Sequence, residues 1–277
     1  MKILIILFLS FNAIGSIIPL NNLKISKNVK SNINEMKFNQ LIDSVVLAYN
    51  DEIPSYGAKE FIVNRFWEDE RVNASSGKKN GNFILNIYGG LARFSPVTED
   101  AFKLILCHEM GHLIGGAPTW KPFNDASSEG QADYFATLKC FRRIHLNSTI
   151  QKPTIRIHPT ALVKCDQYHQ SDFDKNLCYK STLAQESLSR TIKELANLAD
   201  LPDFDTKDPY VRMFTIFNGY PNPQCRLDTM FAGSLCSNDI FEKMDLNLYN
   251  KGNCHSFKSD PIDTLRPKCW YVEREDH

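Results

Sequence analysis

The run Cys107-His108-Glu109-Met110-Gly111-His112 constrains this chain more than any other feature. Two histidines four residues apart fall on one face of a helix, about one turn from each other. Their imidazoles can therefore converge on one tetrahedral metal ion. Glu109 adjoins the first histidine, and from there a carboxylate reaches a metal-bound water without being a ligand, as a general base must. The flanks support a helix: Thr98 is a good N-cap, Glu99 and Asp100 suit the positive end of the dipole, and Gly115-Gly116 stops the run after Leu113.

A catalytic zinc takes three protein ligands and keeps a fourth position open. A third histidine six residues after His112 would fall at Pro118, so that pattern fails although Gly115 matches it. A second helix, predicted to start near Ser127 or Ser128 and run to about Arg143, offers Glu129 and Asp133 one turn apart. Glu129 is the predicted third ligand, with Asp133 and Asp125 as rivals. Asp133, on the same face as Glu129, can accept the other N–H of a ligand histidine and fix its tautomer.

HExxH followed on the next helix by ExxxD is the gluzincin pattern, and the chain resembles the HtpX and CAAX-prenyl-endopeptidase-like peptidases, especially their soluble exported members. Val72-Asn73-Ala74, Gly90-Leu91, Glu129 to Asp133, and Tyr220-Pro221 with Arg226 carry the resemblance. The interval from His112 to Glu129 is shorter than in membrane-bound members, and Tyr220 stands where they have His. The resemblance implies an α+β zincin core with Zn2+ held by His108, His112 and Glu129. It also implies an edge strand at the cleft, Phe83–Tyr88, along which a peptide or protein substrate would lie extended. Tyr220 is a candidate oxyanion donor, and Arg226 is expected, like Asp133, to support the site from outside the metal ligands, holding that loop by charged hydrogen bonds. The expected activity is that of a zinc metalloendopeptidase. The alternatives are a secreted binding module of the same fold without turnover, and a zinc amidase acting on cell-wall peptide.

Residues 1–15 read as a signal peptide: Met1-Lys2, the apolar run Ile3–Phe11, then small residues at Ala13 and Gly15. The rest, a polar lead-in over 16–33 and one domain over 34–277, is expected to be exported to a periplasm or the exterior. No later apolar run reaches bilayer length, so the mature chain is expected to have no transmembrane segment. Lys plus Arg equals Asp plus Glu at 32 each, without the basic footprint of a nucleic-acid binder. Eight cysteines without a CxxC pair fit disulfides in an oxidising compartment. If Glu129 stands level with His108 on an antiparallel helix, Cys140 lies about 16 Å further along, beyond reach of Cys107. The family resemblance brings the Arg226 patch close, which suggests Cys225 or Cys236 for Cys107. That leaves Cys165 or Cys178 for Cys140, and a local Cys254–Cys269 loop.

Apolar periodicity predicts helices over Met36–Tyr49 and Leu183–Leu198, and strands at Phe61–Val63, Arg71–Ala74 and Phe83–Tyr88. The polar stretch Ser75–Asn82 reads as a turn, and the C-terminal half as loop-rich.

Overall fold

The computed structural model describes residues 17–120 and 125–276; the signal-peptide reading lies outside them. The fold is α+β. A small sheet holds β1 (Phe61–Phe66), β2 (Ala74–Lys79) and β3 (Asn82–Tyr88) in the order β1-β3-β2. β1 runs parallel to β3 and β2 antiparallel to it. Phe83, Leu85 and Ile87 alternate into the core, as a half-buried strand requires.

Two sequence expectations change here. Phe83–Tyr88 is the central strand, because its ladder is taken on both sides; the outer strand toward the site is β2. The stretch read as a turn is mostly β2 itself. Its sequence, Ala-Ser-Ser-Gly-Lys-Lys, lacks the β-branched and aromatic residues that mark strands, and pairing with β3 overrides that weak propensity. The turn proper is Asn80-Gly81, both at positive φ, the two-residue hairpin connection such a dipeptide favours.

α1 (Glu35–Tyr49) starts on an Asn34 cap and packs Phe38, Leu41, Ile42 and Val45 inward. The short α2 (Gly89–Arg93) follows β3. α3 (Glu99–Ile114) starts where Thr98 Oγ1 accepts the Ala101 N–H at 3.2 Å. It is buried almost all round, against β2, α1, α4 (Glu129–Phe135) and α7 (Asp172–Ala196). After α4 the chain makes a π-helical stretch over Ala136–Cys140 and the single turn α5 (Phe141–Arg143). α6 (Pro159–Tyr168) and α8 (Pro223–Leu235) are regular helices in the half expected to be loops, and α7 begins well before Leu183. The polar lead-in also contributes to the core, through Ile17, Ile18 and Ile33. No helix among the described residues is long and apolar enough to cross a membrane.

Four disulfides tie the chain: Cys107–Cys140, Cys165–Cys178, Cys225–Cys269 and Cys236–Cys254. The first overturns the expectation that Cys107 reaches outside the helix pair, and the suggested pairs fall with it. The two helices do run antiparallel, but Glu129 is not level with His108. Gly111 faces Ala132, so Cys107 lies four residues from the crossing and Cys140 eight. Those paths are about 6 and 12 Å at the α-helical rise. The wider π turns shorten the second, and the Cα atoms close to 5.4 Å.

Candidate metal centre

His108 and His112 project from α3 toward Glu129 at the first turn of α4. Their ligand atoms lie within 4.8 Å of one another, a buried group that could hold a metal ion. His108 Nε2 is 3.3 Å from Glu129 Oε2, and His112 Nε2 is 3.5 Å from Glu129 Oε1. Ligands bonded at about 2.0–2.2 Å to one tetrahedral ion sit roughly 3.3–3.6 Å apart, so the spacing fits such an ion. The chemistry fits as well: His108 Nε2, His112 Nε2 and Glu129 Oε1 are buried without a hydrogen-bond partner, and a shared metal ion would satisfy all three.

The outer contacts orient these ligands. His108 Nδ1 lies 2.8 Å from Asp133 Oδ1, leaving Nε2 toward Glu129. His112 Nδ1 is 2.8 Å from the Ser127 carbonyl, so an Nδ1–H donates there and Nε2 faces the cluster. Ser127 also returns its N–H to the His112 carbonyl at 3.0 Å and its hydroxyl to Gly116, clamping the start of α4 onto the end of α3. Close approach of the helices depends on Gly111. A Cβ there would stand 2.8 Å from Ala132 Cα.

Arg226 stands behind the ligands. From α8 it reaches α4 and meets Asp133 through Nε and Nη2 at 2.8 and 2.9 Å, a two-pronged carboxylate contact. Nη2 also donates to Glu129 at 3.1 Å. Burial works to raise the Asp133 carboxyl, but the Arg226 cation and His108 outweigh it and hold the group below its ordinary range. Burial likewise opposes the Arg226 charge, and Asp133 and Glu129 more than restore it. Tyr220 lies outside the buried cluster, 55% exposed in the loop before α8. Asp125 is exposed, and the metal-capable group does not include it.

Glu109 is fully buried beside the cluster. Ser76, on β2, donates its hydroxyl toward the Glu109 carboxylate at 2.9 Å and its carbonyl at 2.8 Å. Burial pushes the Glu109 carboxyl up to about 8, with His108 and the Ser76 hydrogen bond pulling the other way. Nothing in the sequence marks Ser76 or Arg266 as part of the site, and Ser127 stands out there only as a helix start. Arg266 is buried, donates to Gln131 Oε1 at 3.0 Å and to the Tyr271 hydroxyl at 2.8 Å, and braces α4 from behind. Trp270 lies flush on Gly130, where a Cβ would meet the indole at 2.3 Å. Among these, only Gly130 beside Glu129 carried a local signal, a glycine in a helix where alanine is intrinsically better.

Compared with known proteins, no family model matches the chain, and neither a curated protein nor a solved structure matches it.

Proposed function

We propose that this is an exported zinc metallopeptidase with a zincin-type core. The observation that carries the reading is the convergence of three orphaned ligand atoms, from His108, His112 and Glu129, beside a buried acid outside the metal-capable group, Glu109. A purely structural zinc site is closed by four ligands; three ligands with a neighbouring acid is the catalytic composition.

When bound, zinc polarises a scissile carbonyl and lowers the pKa of a water beside it. Glu109 takes the proton from that water at a carboxylate oxygen and delivers it to the leaving amine. Asp133 and Ser127 keep the two imidazoles in the tautomer with Nε2 toward the metal. Arg226 keeps Asp133 and Glu129 ionised. β2 lies beside Glu109 through Ser76, so an extended peptide is expected along β2. Tyr220 is the proposed oxyanion donor. Four disulfides and the absence of a membrane-spanning helix among the described residues support export without a transmembrane anchor there.

The test is hydrolysis of an unfolded protein by metal-loaded and chelator-treated enzyme, beside zinc content for the wild type and His112→Ala. Hydrolysis that survives full metal removal sinks the peptidase mechanism. Full zinc retention by His112→Ala sinks the ligand set.

A further inference from the structure

We propose that the segment Ile17–Pro19 is an inhibitory strap, a piece of this chain that lies in the candidate cleft and must leave before a peptide can reach Glu109. The inference rests on the peptidase reading for what is inhibited and on geometry for the occupancy.

Ile17 is 0% exposed and Ile18 3% exposed. The Ile17 N–H donates to Glu109 Oε1 at 3.4 Å. The Ile17 carbonyl accepts from Arg226 Nη1 at 3.2 Å. One residue thus bridges the proposed base and the cation that holds the Glu129–Asp133 pair, through its main chain alone. The Ile17 N–H takes up a Glu109 carboxylate oxygen, and its buried side chain occupies space that a substrate residue beside Glu109 would need.

The segment is tethered just beyond the cleft. Asn21 Nδ2 donates to the Val72 carbonyl at 3.1 Å, the Val72 N–H to the Leu23 carbonyl at 3.3 Å, and the Ile25 N–H to the Glu70 carbonyl at 2.8 Å. These bonds fasten residues 21–25 to the segment that leads into β2. Between that fastening and the buried isoleucines stands Leu20, which is 100% exposed. In the proposed displacement residues 17–19 leave about Leu20, giving up the core packing of Ile17 and Ile18 and the 2.9 Å bond from Asn21 Nδ2 to the Pro19 carbonyl, while residues 21–25 stay fastened.

The experiment compares full-length wild type with Ile17→Asp, which places a charge against Glu109, and Ile17→Gly, which removes the side chain without adding charge. Melting curves confirm that the variants fold. The first measurement is the rate at which a colorimetric chelator strips zinc. An open cleft should lose zinc at least tenfold faster in Ile17→Asp, with Ile17→Gly between it and wild type; equal rates in all three overturn the strap. The second is kcat/KM on an internally quenched unfolded peptide, expected to rise at least tenfold in Ile17→Asp. Acetyl-Ile-Ile-Pro-Leu-amide added in trans should inhibit that variant competitively. Equal kcat/KM in wild type and both variants overturns the strap and leaves the peptidase reading standing. Faster zinc loss with no hydrolysis by any of the three supports the strap and removes the peptidase reading. Proteins that hold no zinc overturn both. If Ile17→Asp does not fold, Ile17→Gly alone decides, by the same two measurements.

Discussion

Replacing Gly111 by alanine sets helix propensity against packing, and the structure says which wins. Alanine in a helix interior is favoured over glycine by about 1 kcal/mol. The added Cβ would stand 2.8 Å from Ala132 Cα, 2.9 Å from Ala132 O and 3.1 Å from Ala132 Cβ. Comfortable carbon–carbon contact begins near 3.5 Å, so α4 must retreat by about 0.7 Å. Two of the three obstructing atoms are backbone, so no rotamer change relieves the contact. Overpacking of this kind costs about 1–3 kcal/mol, which leaves a net destabilisation of roughly 0–2 kcal/mol. The larger effect falls on the metal. Glu129 rides on α4 three residues before Ala132, and metal–ligand distances tolerate only about 0.2 Å. Zinc affinity should fall at least about tenfold, or 1.4 kcal/mol. Competition titration with a zinc chelator measures the affinity, and urea unfolding of the chelated protein measures the fold. Gly77→Ala, where a Cβ meets nothing within 4 Å, controls for generic effects of the exchange. Gly111→Ala with wild-type zinc affinity would refute the claim that this close helix crossing positions Glu129.

Arg226→Met leaves Asp133 and Glu129 buried without their cation, and urea unfolding should show a loss of about 3–5 kcal/mol; a loss below 1 kcal/mol would show that the triad is not a coupled buried network. Glu109→Gln should abolish peptide hydrolysis while zinc content and melting temperature stay near wild type, and activity within a few-fold of wild type excludes Glu109 as the base. Tyr220→Phe should lower kcat about a hundredfold with little change in KM, whereas an unchanged kcat returns Tyr220 to a packing role. His145 is buried near Lys103, Asp100 and Lys180, and burial drives its pKa down to about 3. The unfolded chain takes up a proton below about pH 6.5 that the folded chain refuses until about pH 3. Stability is therefore unaffected by this group above 6.5 and falls by about 1.4 kcal/mol per pH unit on acidification below it. Unfolding measured from pH 6 to 4 should lose about one proton of slope in His145→Gln; an unchanged slope contradicts the buried neutral imidazole.

The sequence alone determined what repeats locally. A four-residue interval fixes that His108 and His112 share a helix face, and the same arithmetic puts Glu129 and Asp133 on one face of the next helix. The cap at Thr98 and the alternation through Phe83, Leu85 and Ile87 are equally local. Nothing local marks Ser76 as a neighbour of Glu109, because β2 is held by its partner strand and not by its own residues. Arg226 finds Asp133 across 93 positions of chain, and the Ile17 N–H finds Glu109 across 92. The Cys107–Cys140 bond depends on where Gly111 sets the helix crossing and on a π turn, and neither is written in residue spacing. Periodicity constrains one element at a time. Which elements meet, and at what level, is decided by packing, where a missing Cβ or a buried charge outweighs any local preference.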